Sequence, residues 1–303
     1  MFSSPTAQEF LLIRVDSQDY LRHVKSFAFM SGEFMYDNVK IWIAAVLLAT
    51  LSGCVTTSGV TVPSTNYYDK KVVDLHPEVF QVGQKPRPTV IVLHGSGGVD
   101  VHHRDWAKLI NSWGYNAVVF DSFRPRGLSD VNGKPFDVPP LQRAVDAETV
   151  AKWIKLQPWS SDKICAIGFS HGGTTVLEID MDGLLTREVG QRHSFDCGVN
   201  YYGIPITDMF LYETTMPVQI HVGGNDGSND LSRNRDFAKK YKSNTELFVY
   251  ANAEHGFDRV GTDITVRGVE GIAKGGTYKI KGDPVAREQS IQRVKAFFDR
   301  RLN

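Results

Sequence analysis

The chain has 303 residues, enough for one large domain, and its 42% hydrophobic and 22% charged residues are typical of a packed globular protein. The 34 Lys and Arg residues balance the 34 Asp and Glu residues, and the basic residues form no stripe along the sequence. Composition and charge therefore give no indication of a nucleic-acid-binding surface.

The first feature along the chain is a short apolar run, Ile41–Leu51, which leads towards Cys54. A membrane-spanning helix needs about 20 apolar residues, whereas the hydrophobic region of a secretory signal needs about 7–15. We therefore expect a signal peptide over residues 35–53, translation from Met35, and a mis-annotated extension over residues 1–34. Two alternatives stay open: the extension is a genuine cytoplasmic segment, or the apolar run is a core segment and Cys54 an ordinary thiol.

The end of this run, Leu51-Ser52-Gly53-Cys54, resembles the lipobox of bacterial lipoproteins. In those proteins the cysteine becomes the lipidated first residue, so the resemblance implies a lipid anchor on Cys54. Residues 54–71 would then form a polar tether, and residues 72–303 the catalytic domain. Val55 stands where Asp would signal retention at the inner membrane, so the resemblance favours the periplasmic face of the outer membrane of a bacterial cell envelope.

From Val72 onward, short apolar runs alternate with longer amphipathic segments, which is typical of a mostly parallel central sheet flanked by helices. The expected strands are Thr89–Leu93, Ala117–Phe120, Ile164–Ile167, Cys197–Tyr202, Val218–Val222 and Leu247–Tyr250. The expected helices are Arg104–Trp113, Leu141–Leu156, Leu231–Tyr241 and Pro284–Leu302. We find no internal repeat in this part of the sequence, so one α/β domain is the simplest interpretation.

The third of these strands leads into Gly168-Phe169-Ser170-His171-Gly172, which fits the pattern G-x-S-x-G. A strand before this pattern and a helix after it form the sharp turn that exposes a nucleophilic serine in the α/β-hydrolase fold. The glycines are the small neighbours that such a turn requires, and a helix N-terminus favours developing negative charge. We therefore predict an α/β-hydrolase fold with Ser170 as the nucleophile; the alternative is a plain glycine-rich turn.

The first strand ends in a second glycine-rich segment, His94-Gly95-Ser96-Gly97-Gly98. Acyl transfer requires two backbone N–H groups directed at the oxyanion. In this fold one comes from the residue after the nucleophile and the other from the loop after an earlier strand. We therefore assign the oxyanion hole to the backbone N–H groups of His171 and Ser96, with Gly97 next to them. The side chain of His94 is expected to be structural.

The general base and its acidic partner should follow the nucleophile in the order Asp or Glu, then His. Asp226 and His255 each follow a predicted strand, so both lie at the edge of the sheet where ligands bind. His255 would accept the proton of Ser170, and Asp226 would fix its tautomer. Asp230 and Glu254 are weaker candidates, because the first caps the next helix and the second adjoins the histidine in sequence.

Two further groups of residues are expected to be structural, and no metal or cofactor is predicted. Adjacent histidines point in different directions on a helix, so we interpret His102 and His103, beside Asp105, as a solvated helix start. Cys165 and Cys197 fall on strands that should be neighbours. Because a disulfide between adjacent parallel strands needs an uncommon Cβ geometry, we expect two buried thiols there.

The chain from Val72 to its C-terminus resembles the dienelactone hydrolase family. Beyond the predicted triad, the matching segments are Asp121–Gly127, Val199–Gly203, His221–Asp226 and Ala253–Phe257. The resemblance implies hydrolysis of a small carboxylic ester or lactone through an acyl-enzyme intermediate, without a metal. The enzymes that give the family its name have cysteine where this chain has Ser170, which favours a serine carboxylesterase over dienelactone chemistry.

Arg124 and Arg126 follow the strand that ends at Asp121, on the same edge of the sheet as the nucleophile. They could bind a substrate carboxylate, but we favour a role in holding their own loop through Asp121 or Asp130. Tyr202 is a third candidate for contact with the substrate.

Two segments, Pro125–Pro140 and Gly261–Gly282, are long enough to shape the substrate pocket. Two other functions remain as alternatives. One is a peptidase of the same fold, although such peptidases usually carry an extra domain for which this chain has no room. The other is a non-catalytic binding lipoprotein, against which the complete set of catalytic residue types argues.

Overall fold

The structure, a computed structural model, describes residues 54–56, 59–182, 193–206, 213–267 and 276–303. The predicted extension and signal peptide lie outside these ranges. Among the helices of the described ranges, none combines the length and the apolar character needed to cross a membrane.

The strands are β1 (Cys54–Thr56), β2 (Val62–Thr65), β3 (Val72–Leu75), β4 (Glu78–Gln81), β5 (Arg87–Leu93), β6 (Asn116–Val119), β7 (Ser160–Phe169), β8 (Met181–Asp182), β9 (Cys197–Tyr201), β10 (Glu213–Thr214), β11 (Val218–Gly223), β12 (Thr245–Tyr250), β13 (Asp263–Arg267) and β14 (Thr277–Lys281). The helices are α1 (Val101–Ser112), α2 (Pro140–Lys155), α3 (His171–Asp180), α4 (Leu231–Lys240) and α5 (Pro284–Leu302), with a short 3₁₀ helix over Arg124–Arg126. Each predicted strand and helix is present, with its ends shifted by no more than four residues.

The central sheet has eight strands in the order β1-β4-β6-β5-β7-β9-β11-β12. The pairs β1–β4 and β4–β6 are antiparallel, and the remaining five pairs are parallel. Parallel strands need crossover connections, and these carry helices across both faces, so the central strands are apolar on both sides. The predicted α/β-hydrolase fold with a mostly parallel sheet is confirmed.

Alternate residues of β5 face two separate layers of the core. Ile91 and Leu93 pack with the apolar residues of α2, α3 and α4 on one face of the sheet. Val90 and Val92 pack with those of α1 and α5 on the other face. This alternation follows from the two-residue period of a strand, and it leaves the carboxyl ends of the strands free to form a site.

The folded body begins before residue 72, where the sequence placed the start of the domain. β2 pairs with β3 in antiparallel register. Val62 and Ser64 of β2 are buried, and the Ser64 hydroxyl donates to Asp146 Oδ1 on α2 at 2.7 Å. The prediction of a polar tether over residues 54–71 was therefore wrong for this segment, because alternate side chains of β2 are enclosed by α2. Cys54 begins β1, whose backbone pairs with β4; its lipidation stays a prediction.

Cys165 and Cys197 form a disulfide, so the prediction of two separate thiols was also wrong. The two residues are direct partners in the register of β7 and β9, and both are fully buried. Their Cα atoms are 4.7 Å apart, within the range that a disulfide spans. The exact register of the two strands decided the outcome, and register depends on contacts that are distant in sequence.

Candidate active site

Ser170 occupies the sharp turn between β7 and α3, with a left-handed backbone φ of 54°. This region is unfavourable for a residue with a Cβ, and it is found where surrounding structure enforces it. Here the Ser170 N–H donates to the Tyr201 carbonyl at 2.9 Å, and the Ser170 carbonyl accepts from the Thr174 N–H at 3.0 Å. The turn places the serine at the carboxyl edge of the sheet, where it lines two adjoining cavities.

The glycines around Ser170 are required by close backbone contacts, as the sequence predicted. A Cβ on Gly168 would lie 2.1 Å from the Gly172 carbonyl oxygen. A Cβ on Gly172 would lie 2.3 Å from the Leu93 carbonyl oxygen. Backbone atoms cannot move aside as a flexible side chain can, so these positions keep the turn tight and bring β5 against it.

Asp226 and His255 follow β11 and β12, and the structure brings them together. His255 Nδ1 lies 2.7 Å from Asp226 Oδ2, and both side chains are buried. An Nδ1–H that donates to the carboxylate leaves Nε2 as the ring nitrogen able to accept a proton. Asp230, the rival acid, instead caps α4 by accepting from the Ser232 N–H at 3.0 Å, as expected.

Ser228 is a member of this cluster that the sequence analysis did not identify. Its N–H and its hydroxyl both donate to Asp226 Oδ1, at 2.9 and 2.7 Å. The hydroxyl oxygen also lies 2.9 Å from His255 Nδ1. Part of the signal was present in the sequence, because an aspartate side chain commonly accepts from the backbone N–H two residues further on. Ser228 thereby helps to hold the Asp226 carboxylate against the histidine.

The glycine-rich segment after β5 lies beside Ser170, and Ser96 and Gly97 line the larger cavity. The Ser96 carbonyl accepts from the Val131 N–H at 2.8 Å, which fixes the segment. His94 is buried, with Nδ1 2.7 Å from the Gly95 carbonyl and Nε2 accepting from the Ser122 N–H at 3.2 Å. Burial, together with nearby Arg143, lowers the pKa of His94 well below its ordinary value, so the ring stays neutral. The expected structural role of this side chain is confirmed.

The cavities at Ser170 have volumes of about 380 and about 280 Å³. The larger one is lined in part by charged and polar side chains, including Asp100, His103 and Arg259. The smaller one is more apolar, with Phe136, Ile204 and Ile206 in its wall. Ser96, Ser170, Tyr202 and His255 border both.

The two segments predicted to shape the pocket do so in their described parts. Asn132 and Phe136 come from the first segment. Val266 and Tyr278 come from the antiparallel pair β13–β14 in the second segment, and they line both cavities. The Tyr278 ring lies edge-on to His255, with centroids 5.2 Å apart.

Arg126 does not contact the cavities, contrary to its assignment as a candidate for substrate binding. Its guanidinium forms a partly buried two-point ion pair with Asp146, at 2.8 and 2.9 Å. As we favoured, Arg126 has a structural role in holding its loop, but its carboxylate partner is neither Asp121 nor Asp130. Arg124 is exposed, with Nε 3.4 Å from Asp121 Oδ2, and it also lines neither cavity. The expected pairing with Asp121 is therefore found for Arg124, whereas the partner of Arg126 was missed because Asp146 lies in the next helix along the chain.

Arg259 is the arginine that the structure does place in the larger cavity. It forms an ion pair with Asp100, at the N-cap of α1. Its charge is therefore already compensated within the site. It is the fourth residue after the catalytic histidine candidate His255, so it lies in the same loop after β12.

Tyr202 borders both cavities, as its candidacy for substrate contact requires, and its ring lies against His255 with centroids 4.5 Å apart. Its hydroxyl donates to Asp258 Oδ1 at 2.8 Å. Asp258 is fully buried and also meets Trp106 Nε1 at 2.7 Å and His102 Nε2 at 2.6 Å. Burial alone would raise the pKa of Asp258, but His102 and these hydrogen bonds lower it to about 2. The carboxylate therefore anchors the tyrosine ring beside the histidine.

The prediction of a solvated helix start at His102 and His103 was wrong, because His103 is buried. The side chains of both, with that of Asp100, place their potential metal-ligand atoms within 4.8 Å of one another. His103 Nδ1 lies 2.7 Å from Asp100 Oδ1, and His102 turns towards Asp258. Capping of α1 and the buried Asp258 carboxylate account for this arrangement.

Comparison with known proteins places this architecture among characterised ones. A sequence model of the dienelactone hydrolase family matches residues 78–302. The carboxymethylenebutenolidases of Pseudomonas putida and Pseudomonas knackmussii are each 23% identical over 207 residues, which is 62% of this chain and 82% of theirs.

Solved structures share the fold. A dienelactone hydrolase-like promiscuous phosphotriesterase from metagenomic libraries is 20% identical, with a TM-score of 0.57 over 80% of this chain and 98% of its own. Esterase 2 of Thermogutta terrifontis, with propionate bound, is 17% identical, with a TM-score of 0.58 over 81% of this chain and 95% of its own.

Proposed function

This chain belongs to the dienelactone hydrolase family and is a hydrolase, and we propose that it cleaves carboxylic esters or lactones with Ser170 as its nucleophile. One observation carries the proposal. The buried Asp226–His255 pair opens on the same cavities as Ser170, which stands on a turn with a left-handed backbone. A plain glycine-rich turn would not require a paired histidine and carboxylate beside it.

In the proposed reaction, His255 Nε2 accepts the proton of the Ser170 hydroxyl while the serine oxygen attacks the substrate carbonyl. The oxyanion of the tetrahedral intermediate is stabilised by the backbone N–H groups of Ser96 and His171. Asp226 stabilises the imidazolium of His255, which then gives its proton to the departing alcohol. An acyl group remains on Ser170, and a water molecule activated by His255 releases it.

The cavities support a small ester or lactone as the substrate. Their volumes suit groups of a few carbon atoms on each side of the carbonyl. Phe136, Ile204 and Ile206 suit an apolar group in the smaller cavity. The curated relatives are named for a lactone hydrolase, and a solved neighbour carries propionate and is an esterase.

The test compares the wild type with Ser170→Ala on p-nitrophenyl acetate, p-nitrophenyl butyrate and a five-membered lactone. We expect Ser170→Ala to lose at least about 10³-fold in kcat, because acyl transfer loses its nucleophile. Ser243→Ala, at an exposed serine after α4, serves as the control and should keep the wild-type rate. Labelling by a fluorophosphonate should occur in the wild type and be lost in Ser170→Ala.

An unchanged rate in Ser170→Ala would refute the proposal. Peptide cleavage without ester cleavage would replace it with the peptidase alternative. Failure of the wild type to react with either the esters or the fluorophosphonate would instead support a binding protein.

We also propose that the protein is exported and anchored to the bacterial envelope through Cys54. The buried disulfide supports export, because structural disulfides are typical of oxidising compartments. When the full chain is expressed with a radiolabelled fatty acid, the wild type should become labelled. Cys54→Ala should stay unlabelled and should be found in the membrane-free fraction. Absence of label from the wild type would rule out the anchor.

A further inference from the structure

Arg143, on α2, has a fully buried side chain next to the predicted oxyanion hole. Nη1 donates to His171 Nδ1 at 2.7 Å, and Nη2 donates to the His94 carbonyl at 2.6 Å. His171 is the residue after the nucleophile, and His94 opens the segment that contains Ser96. One guanidinium therefore joins the two chain segments that would supply the oxyanion hole.

The partners bonded to this guanidinium are neutral. Burial, with a contribution from Arg143 itself, lowers the pKa of His171 to about 3. His171 Nε2 lies 2.8 Å from the Pro135 carbonyl, to which it donates, so Nδ1 is free to accept from Arg143. The third guanidinium nitrogen, Arg143 Nε, is buried and has no hydrogen-bond partner.

The contrast with Arg126 shows how unusual this environment is. Arg126 is also largely enclosed, with its side chain 9% exposed, but a two-point ion pair with Asp146 compensates its charge. Asp146 and Asp121 act on Arg143 only from a longer range, opposing the effect of burial, which lowers the pKa of Arg143 to about 9. The group is thus a cation at neutral pH, and a buried cation without a bonded carboxylate is costly to maintain.

The free-energy cost of keeping Arg143 buried as a cation is offset when a negative charge forms nearby. The oxyanion of the tetrahedral intermediate is such a charge, and interactions in a buried environment are weakly screened. We propose that Arg143 is a positioning residue for the oxyanion hole: it holds the His94–Ser96 segment against the first residue of α3 and supplies a fixed positive charge behind them. This inference rests on the proposed function of the same site.

The test measures kcat and KM for p-nitrophenyl butyrate in Arg143→Met, Arg143→Lys and Arg126→Met. We expect Arg143→Met to lower kcat about 100-fold with KM within about threefold, because oxyanion stabilisation acts on the transition state. Arg143→Lys keeps the charge and one hydrogen bond and should recover to within about tenfold of the wild type. Arg126→Met is the matched control: it loses a partly buried ion pair and stability, but should keep kcat within about threefold.

A second pair of variants covers the case in which Arg143→Met fails to fold. His171→Leu keeps the backbone N–H but removes the acceptor for Arg143, and should lower kcat about tenfold. His171→Gln supplies an amide oxygen as acceptor and should restore most of that loss. A trifluoromethyl ketone, which forms an oxyanion on Ser170, should weaken in binding by the same factor as kcat/KM falls.

The inference is overturned if Arg143→Met folds and its kcat is within threefold of that of Arg126→Met. It is also overturned if His171→Leu and His171→Gln both keep the wild-type kcat. Ser170→Ala, run in parallel, separates this failure from that of the proposed function. If Ser170→Ala is active, the proposed function itself is refuted. If Ser170→Ala is inactive while Arg143→Met and Arg126→Met have the same kcat, only the role of Arg143 is refuted.

Discussion

Lowering the pH from 7.5 to 5.5 should destabilise the folded domain strongly, because four buried histidines cannot take up protons in the folded state. Burial lowers the pKa of His103 to about 4 and the pKa values of His171 and His221 to about 3. Burial also lowers the pKa of His94 well below its ordinary value. Each ring is enclosed by structure; His221, for example, lies 2.9 Å from the Tyr250 hydroxyl through Nδ1.

The sign and size of the effect follow from proton linkage. An unfolded histidine titrates near pH 6.5, so between pH 7.5 and 5.5 the unfolded chain binds protons that the folded chain does not. The free energy of unfolding is therefore highest above pH 6.5 and falls as the pH is lowered towards the folded-state values. Each histidine contributes about 1.4 kcal/mol over this interval, and the four together about 5 kcal/mol, comparable with the whole stability of many domains.

Urea unfolding followed by tryptophan fluorescence at the two pH values measures this difference. His221→Gln, which cannot ionise, should reduce the loss by about 1.4 kcal/mol. His76→Gln is the control, because His76 is exposed and solvated in the folded protein as in the unfolded chain. A loss below 1 kcal/mol in the wild type, or an equal loss in His221→Gln, would refute the reasoning.

Three further outcomes are expected. Asp226→Asn should lower kcat for ester hydrolysis by about 10³–10⁴-fold, because it favours the wrong tautomer of the histidine. Ser228→Ala leaves the carboxylate in place and should lower kcat only about tenfold. Equal losses in the two variants would contradict the positioning role of Ser228. Replacing both Cys165 and Cys197 by Ala should reduce the free energy of unfolding by about 3–4 kcal/mol in urea titrations. If both cysteines of the unfolded, unreduced wild type react with a thiol reagent, the disulfide is absent. Gly168→Ala should abolish both activity and cooperative unfolding, because its Cβ would meet the Gly172 carbonyl at 2.1 Å; a soluble, active variant would show that the turn is less tight.

Predictions from the sequence succeeded where a short segment determines its own structure. The run from β7 through Ser170 into α3 combines an apolar strand, a glycine-rich turn and a helix within about twenty residues. Asp226 and His255 could be located because each follows a strand of the central sheet, and parallel strands bring such positions to one edge of the sheet. Strand and helix positions followed from periodicity, since the spacing of apolar residues reflects which face is covered.

Pairing between side chains could not be predicted, because it depends on register and on rotamers set by distant segments. The bond between Cys165 and Cys197 required the register of β7 against β9. Ser64, far ahead of α2 in sequence, is buried against Asp146 because β2 packs on that helix. A sequence of this length contains many arginines and carboxylates, and their spacing along the chain says little about which of them meet.

The sequence by itself thus determined the fold class, the turn at Ser170 and the order of the candidate triad, because these depend on local patterns and on the geometry of a parallel sheet. Only the tertiary structure decided how each charge is compensated. It paired Arg126 with Asp146, and it left Arg143 between His94 and His171 with no bonded carboxylate. The physical reason is that burial and partnership of a charge are properties of the packed interior, which forms only when segments far apart in sequence come together.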